Sequence, residues 1–312
     1  MNGYEVAHEI IKEVNKVIIG KEEVVKKVLT CFLAGGHILI DDIPGVGKTT
    51  MAIAFAKAMN LEQNRIQFTS DVMPSDVVGF TIFDQAENEF KYKPGVIFCN
   101  LLLADEINRT SAKTQSALLE AMEEKKVTVD GVSYKLNNPF MVIATQNPEG
   151  SVGTHMLPES QLDRFMIRLS IGYPKVEDEI NMLKTKEAGN SLDNVVSITD
   201  PQTFANMQKE VSEVFIHDRV YKYMVDIVSA TRKNNDIKLG ASPRGSVALA
   251  AMSRAYAYLE GRNYVIPDDV IAVVHDTLGH RLVMNMVGGR EIKSRDAIDR
   301  IISQVIAPVS EG

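Results

Sequence analysis

The sequence predicts an α/β fold in which a parallel sheet lies between helices, followed by an all-helical domain. From residue 38 to residue 169, short apolar runs alternate with segments of helical periodicity. This alternation is typical of a parallel sheet covered by helices. A glycine-rich turn also joins the first predicted strand to a helix, and from Lys175 onward the pattern is almost entirely helical.

The predicted elements follow one another without internal repeats. Helical patterns at about Tyr4–Lys16 and Glu22–Ala34 open the chain, and the sheet domain then contains Ile38–Asp41, Gly47–Met59, Ile66–Phe68, Leu101–Asp105, Ala112–Glu124, Met141–Thr145 and Phe165–Leu169. The strongest apolar run, Val96 to Ala104, indicates a buried strand. The later helices are Val176–Lys186, Thr203–Val214, Arg219–Arg232, Arg244–Glu260 and Pro267–His275, with one more between Arg290 and Gly312.

Two hairpins interrupt the sheet domain. Thr128 to Tyr134 alternates on both sides of Asp-Gly, a strong hairpin signal. Phe83 to Lys93 gives a weaker signal, in which Phe90 to Lys93 alternates after a polar tip. We therefore expect a core at residues 1–173 with insertions at about 81–93 and 126–136, and a helical domain at 174–312. Edge hairpins without a function and loops displayed toward a partner both fit this pattern.

Composition limits the classes of function. The 312 residues include 45% apolar and 24% charged residues, which is typical of a soluble globular protein. A net charge of −7 argues against a general nucleic-acid-binding protein, which usually carries a basic patch. Cys31 and Cys99 lie in apolar patterns and predict buried, reduced thiols. With no signal peptide and no apolar run near the ~20 residues of a membrane span, we expect a cytoplasmic protein.

The turn from Asp42 to Thr49 reads DIPGVGKT and stands between a strand and a helix. This is the context of a P-loop, whose backbone N–H groups hold nucleotide phosphates with help from the positive end of the helix. Lys48 is expected to reach the β- and γ-phosphates, and the Thr49 hydroxyl to bind Mg²⁺. A turn without a ligand does not explain these two side chains. The predicted nucleotide contacts here are Pro44, Gly45, Val46, Gly47, Lys48, Thr49 and Thr50.

Asp42 departs from the G-x-x-x-x-G-K-[ST] pattern, which has glycine at this position. Aspartate is among the few residues other than glycine that tolerate a positive φ, so the turn remains possible. We expect its carboxylate to point away from the phosphates.

The apolar run Leu101–Asp105 ends in two adjacent acids, Asp105 and Glu106. Ligands of an open parallel sheet bind at the carboxyl ends of its strands, where these acids fall. In this Walker B form, Asp105 would hold Mg²⁺ through water and Glu106 would orient or deprotonate the attacking water. A solvated acidic turn is the alternative, and the P-loop earlier in the chain favours the nucleotide site.

An ordered set of segments resembles the MoxR branch of the AAA+ ATPases. The segments are IPGVGKT from Ile43, LLLADEINRTSAKTQSALLEAMEE from Leu101, Gly131 after the hairpin, ATQNP from Ala144, LPESQLDRF from Leu157 and GASPR from Gly240. The match runs over roughly residues 15 to 285, and an acidic residue at position 42 fits the branch. The resemblance implies a P-loop AAA+ core, a helical lid, and ATP with Mg²⁺ as cofactors.

The resemblance also implies roles for two residues that sense the nucleotide. Asn147 matches sensor 1, an amide that hydrogen-bonds the γ-phosphate or the water, although an asparagine before Pro148 is also a common turn residue. Arg244 matches sensor 2 and would report the nucleotide to the lid. The alternative for Arg244 is a helix-start arginine on a solvated face.

Arg164 matches the arginine finger, which in AAA+ rings reaches the nucleotide of the neighbouring subunit. Arginine suits this role because it stays charged and its donors fork onto phosphate oxygens. A salt bridge with Asp163 or Glu159 is the alternative. Arg109, just after Walker B, is a weaker candidate for a second arginine acting in trans.

Ile19 and Gly20 match the segment that packs on the adenine. The branch usually has Gln or Glu after this glycine; Lys21 departs from that pattern and is not assigned to the site.

The resemblance implies that both hairpins face the central channel of a ring. A homo-hexamer is implied because Arg164 needs a neighbour, and branch members often act with von Willebrand factor A domain proteins. The leading hypothesis is an ATP-hydrolysing, chaperone-like remodelling factor that assists maturation or activation of partner complexes, with hydrolysis at subunit interfaces. The alternatives are a nucleotide-gated scaffold without significant turnover and a DNA-associated AAA+ motor, which the acidic net charge disfavours.

Overall fold

The computed structural model describes residues 2–43, 45–146, 156–187, 192–287 and 290–308. Two of the predicted site residues, Pro44 and Asn147, lie outside these ranges. None of the helices in the described ranges combines the length and the apolar character that a membrane crossing requires.

The first part of the chain alternates between helices and strands. In chain order its elements are α1 (Gly3–Asn15), α2 (Glu22–Leu33), β1 (Ile38–Asp41), α3 (Lys48–Ala58), β2 (Gln63–Gln67), α4 (Pro74–Val78), β3 (Gly79–Asp84), β4 (Glu89–Pro94), β5 (Leu101–Asp105), α5 (Ala112–Glu124), β6 (Lys126–Val129), β7 (Val132–Lys135), β8 (Met141–Gln146), α6 (Glu159–Leu162) and β9 (Ile167–Leu169).

A five-stranded sheet has the order β2-β5-β8-β1-β9, and its neighbouring strands are all parallel. Every residue of β5 and β8 is buried, which explains why these strands read as continuous apolar runs. Because the strands are parallel, the carboxyl ends of β1, β5 and β8 meet at one edge. The predicted α/β class and parallel sheet are confirmed.

The expectation of a strand beginning at Val96 was wrong. Strand β5 begins only at Leu101, and the preceding residues form a turn. Ile97 and Cys99 are fully buried, but the N–H of Ile97 bonds to the carbonyl of Val77 rather than to a sheet neighbour. The apolar run therefore reflects burial of two side chains in a turn, which a short hydrophobic pattern does not distinguish from a strand.

Both predicted hairpins are present. Strands β3 and β4 pair antiparallel over Gly79–Pro94, and β6 and β7 pair over Lys126–Lys135. Asp130 and Gly131 both have positive φ, at 49° and 80°, as the two-residue hairpin turn requires. The rings of Tyr92 and Tyr134 stack at 3.9 Å, so the two hairpins contact each other.

The second part of the chain is mainly helical. Its elements are α7 (Val176–Glu187), α8 (Pro201–Ser212), α9 (Asp218–Thr231), β10 (Ile237–Leu239), α10 (Pro243–Leu259), α11 (Pro267–Leu278), β11 (Val283–Met284), β12 (Met286–Val287), β13 (Arg290–Glu291) and α12 (Ser294–Gln304). Two small strand pairs, β10 with β11 and β12 with β13, qualify the all-helical expectation. Strands of two or three residues are too short to give a periodic signal.

The helical part packs directly on the first part. Helix α10 contacts α2 and α1, and α11 contacts β9. Residues from both parts, such as Phe32 and Leu249, belong to one continuous buried apolar cluster. This contact fixes the position of the helical part relative to the sheet.

Candidate nucleotide-binding site

A cavity of about 350 Å³ opens at the carboxyl edge of the sheet. Five of its lining residues belong to the P-loop and the start of α3, two are the adjacent acids at the end of β5, and three come from neighbouring strands. They are Gly45, Gly47, Lys48, Thr49 and Thr50, then Asp105 and Glu106, then Arg65, Gln67 and Thr145. The structure thus brings together most of the residues predicted for ATP and Mg²⁺.

The P-loop has the backbone that its sequence requires. Gly45 and Gly47 have φ of 88° and 93°, in the left-handed region where a side chain would be strained. Helix α3 begins at Lys48, so its first-turn N–H groups border the cavity. These open donors and the positive helix end suit phosphate oxygens.

Lys48 lies half-buried, and its ammonium donates to the carbonyl oxygen of Asp42 at 2.7 Å. Burial lowers the pKa of Lys48 from its ordinary value, and the charges of Asp42, Asp105 and Glu106 oppose that shift. The carboxylates thus favour the charged ammonium that phosphate binding needs.

The Asp42 carboxylate points away from the phosphate loop, as expected. Its Oδ2 accepts hydrogen bonds from Ser170 Oγ at 3.1 Å and from the N–H groups of Ile171 and Gly172 at 2.6 and 2.7 Å. Its Oδ1 accepts from the N–H of Ile43 at 2.9 Å. Asp42 does not have a positive φ. The tolerance of aspartate for that conformation is therefore not the reason it fits here.

Thr145, at the end of β8, organises the Walker B acids. Its hydroxyl donates to Asp105 Oδ1 at 3.3 Å and accepts from the N–H of Glu106 at 2.9 Å. Glu106 has φ 56° and ψ 47°, a left-handed conformation that is uncommon for this residue type. Residues held in such conformations cluster at functional sites.

Two arginines contact these acids from the same chain. Arg65 Nε donates to Asp105 Oδ2 at 2.7 Å, and Arg109 Nη1 donates to Glu106 Oε2 at 2.8 Å. Sequence reasoning missed Arg65. Its position on β2, opposite Leu103 of β5, follows only from the strand order. In this structure Arg109 is engaged with its own Walker B glutamate.

Arg164 and Arg244 meet at a different carboxylate. Arg164 Nη1 lies 2.7 Å from Glu123 Oε2, and Arg244 Nη2 contacts Glu123 Oε1. Neither arginine is among the residues lining the P-loop cavity. The salt-bridge alternative for Arg164 named Asp163 or Glu159, whereas the structure pairs it with Glu123.

The predicted adenine segment lies against the start of α7. Gly20 has φ 71°, and a Cβ built on it would come within 2.2 Å of the Asp178 carboxyl group. The ammonium of Lys21 donates to the carbonyls of Ile171 and Tyr173 at 2.7 and 2.8 Å. The positive φ favours glycine at position 20, and a side chain there would have to displace the Asp178 carboxyl group.

Comparison with known proteins agrees with this geometry. The profile of the "ATPase family associated with various cellular activities (AAA)" matches residues 37–167, and that of the AAA lid domain matches residues 229–301. A crystal structure of a protein from Cytophaga hutchinsonii, assigned as an ATPase, superposes with a TM-score of 0.91 at 37% identity and covers 98% of this chain and 96% of that one.

Two curated relatives match nearly the whole chain. The uncharacterized protein YeaC of Bacillus subtilis is 46% identical over 300 residues, covering 96% of this chain and 94% of the relative. Chaperone MoxR1 of Mycobacterium tuberculosis is 39% identical over 308 residues, covering 96% and 81% respectively. The fold, the lid and these relatives agree with the resemblance found in the sequence, and the chain belongs to the MoxR family of AAA+ ATPases.

Proposed function

We propose that this protein is an ATP-hydrolysing remodelling factor whose active sites form between the subunits of a ring, most simply a homo-hexamer. One observation carries the proposal. The P-loop and Walker B acids line one cavity, while Arg164 and Arg244 are held together elsewhere by Glu123. A single subunit thus supplies the nucleotide-binding groups on one side and two clustered arginines on another, as a site shared between neighbours requires.

Five side chains of the cavity have proposed roles. Lys48 and the first-turn N–H groups of α3 would bind the phosphates, and Thr49 and Asp105 would hold Mg²⁺. When bound, the ion neutralises charge on the β- and γ-phosphates. Glu106 would orient or deprotonate the attacking water. Thr145 contacts both acids, so it fixes the position of the metal-binding carboxylate relative to the base.

Arg164 would act on the nucleotide of the adjacent subunit. We extend this role to Arg244, which the resemblance matches to sensor 2, because it binds the same carboxylate as Arg164. Their guanidinium groups converge on one carboxylate, so an anion approaching this surface finds two cations already close together. Both retain exposed surface, with 31% and 50% of their side chains accessible. Arginines that complete a site in trans raise phosphoryl-transfer rates by ~10³–10⁵-fold in other enzymes. Asn147 keeps its proposed sensor role from the resemblance alone.

The proposed client-handling surface is the pair of hairpins. Phe80, Ile82, Phe83 and Phe90 of β3 and β4 are 41%, 44%, 48% and 75% exposed. Exposed apolar side chains suit contact with unfolded or partly assembled protein. The relative named chaperone MoxR1 supports a chaperone-like role. We propose a cytoplasmic protein that acts with a von Willebrand factor A domain protein or another client, with the boundary between core and lid at residues 173 and 174.

Two variants test the proposal. Glu106→Gln should bind ATP with near-normal affinity and abolish turnover, whereas Arg164→Ala should bind ATP and hydrolyse it poorly. Mixing Arg164→Ala with Lys48→Ala subunits should restore part of the activity. Where an Arg164→Ala subunit binds ATP and its neighbour is a Lys48→Ala subunit, the interface contains both an intact Lys48 and an intact Arg164. Lys222→Ala, a change at an exposed helical ion pair, is the control. Wild-type turnover in Glu106→Gln, or no recovery in mixed rings, would refute the respective assignments.

A further inference from the structure

We propose that Asp42 and Lys21 are positioning residues that couple the nucleotide-binding loop to the linker Ser170–Tyr173, which joins strand β9 to helix α7. This inference rests on the proposed ATPase function and adds a route by which nucleotide binding reaches the lid. It starts from a coincidence in the structure. Asp42, where the general P-loop pattern has glycine, and Lys21, where the branch usually has Gln or Glu, both bind the same four-residue segment.

Asp42 holds the donor side of this linker. One carboxylate oxygen accepts from the Ser170 hydroxyl and from the N–H groups of Ile171 and Gly172. Asp42 is 6% exposed, and hydrogen bonds to a charged acceptor are stronger than neutral ones. Glycine, which the P-loop pattern places at this position, has no side chain that could replace these contacts.

Lys21 holds the acceptor side of the linker. Lys21 immediately follows the proposed adenine contacts, Ile19 and Gly20. Its ammonium donates to the carbonyl oxygens of Ile171 and Tyr173. The linker is thus bound through its N–H groups by the phosphate side of the site and through its carbonyls by the adenine side. Asp178, in the first turn of α7, lies against Gly20 and adds a third contact.

Asp42 also links this arrangement to Lys48. The Lys48 ammonium donates to the backbone carbonyl of Asp42, while the side chain of Asp42 binds the linker. The ammonium has three donors, so a bound phosphate would share Lys48 with the Asp42 carbonyl and change the geometry of that contact. The residue that senses this change is therefore the one that holds the linker, and Gly172, with φ 65°, lies where the chain turns toward the lid.

A purely local role for Asp42 is the competing explanation, because a buried carboxylate also satisfies N–H groups without transmitting anything. The two roles differ in what ATP does to the linker. In a coupled site, ATP changes the hydrogen exchange of the Ile171 and Gly172 amides, and breaking either contact lowers kcat more than it weakens ATP binding. If the role is only local, the Ile171 and Gly172 amides exchange faster in the variants than in the wild type, but ATP still changes their exchange.

The experiment compares Asp42→Asn and Lys21→Met with the wild type, with Asp41→Asn as matched control. Asp41 is the neighbouring acid and lies near Arg168, with 3.9 Å between charged atoms, rather than on the linker. We expect kcat to fall about tenfold in both test variants, with ATP affinity changed by less than about threefold. Lys21→Arg, which keeps the charge, should retain most of the activity.

Hydrogen exchange measured in the Glu106→Gln background, with and without ATP, gives a readout that does not depend on turnover. The linker response to ATP should be present in the control and lost in both test variants. Retention of that response in Lys21→Met, or a kcat equal to wild type in both variants, would overturn the coupling. If Asp42→Asn fails to fold, Lys21→Met decides the question alone. Absence of ATPase activity in the wild type would refute the proposed function, while the exchange measurement would still test the coupling.

Discussion

Replacing Arg281 with methionine should destabilise the protein by about 3–5 kcal/mol, the usual cost of breaking a buried ion pair from one side. Arg281 lies in the short 3-10 helix Gly279–Arg281, and only 3% of its side chain is exposed. Its Nε donates to Asp163 Oδ1 at 2.8 Å, and its Nη2 donates to the carbonyl of Phe165 at 2.7 Å. Methionine keeps much of the aliphatic volume, so the loss reports the polar contacts rather than a cavity.

The same variant has a functional consequence, because Asp163 and Phe165 flank Arg164. Arg281 and Ser242, both in the lid, bind the Asp163 carboxylate from two directions. Without Arg281 the segment that carries Arg164 loses its main anchor. We expect ATP hydrolysis to fall at temperatures where the variant remains folded, with ATP affinity little changed.

Urea unfolding followed by circular dichroism measures the first effect, and steady-state ATPase activity measures the second. Lys222→Met is the matched control, since it removes one partner of an ion pair whose side chains are 74% and 43% exposed. Exposed pairs contribute about 0–1 kcal/mol, so this control should unfold almost as the wild type does. A loss below about 1 kcal/mol in Arg281→Met would refute the view that this buried arginine anchors the Arg164 segment.

Two further predictions concern Arg65 and His37. Arg65→Gln should lower the Mg²⁺ concentration needed for turnover by up to about fivefold, because the half-exposed guanidinium competes with the ion for Asp105. Weaker ATP binding with an unchanged Mg²⁺ requirement would contradict this. Burial lowers the pKa of the His37 imidazole to about 4. Between about pH 6.5 and pH 4 this side chain is therefore protonated in the unfolded chain but not in the folded one. Stability should therefore decrease between about pH 6.5 and pH 4, by up to about 3 kcal/mol from this group. His37→Asn should show a shallower pH dependence in urea unfolding, and an identical slope would contradict the assignment.

The groups proposed to bind phosphate could be predicted because their signals are local. The P-loop and the strand ending in Asp105 and Glu106 are each contiguous, and parallel strands bring their carboxyl ends to one edge without further information. Helix bounds were also close, as for α5 at Ala112–Glu124, because amphipathic periodicity runs through the whole element.

The partners of these groups could not be predicted, since they come from elements distant in sequence. Arg65 contacts Asp105 only because β2 lies beside β5, and strand order is not encoded in either segment alone. Glu123 was visible as one acid among several at the end of α5. That it binds both Arg164 and Arg244 follows from how the lid is placed on the core.

The exposure of the Glu123 bridges bears on how Arg164 and Arg244 would change partners in the proposed ring. Arg164, Arg244 and Glu123 are 31%, 50% and 39% exposed, so each bridge contributes about 0–1 kcal/mol. Releasing both arginines to a neighbouring phosphate would also break the hydrogen bond from Arg164 to the carbonyl of Leu119, at 3.1 Å. The total cost would still be small compared with the charge-assisted hydrogen bonds gained there. Glu123 keeps two like charges side by side in the isolated chain without binding them tightly. In the proposed ring, this carboxylate would prepare the arginines for the adjacent nucleotide rather than withhold them from it.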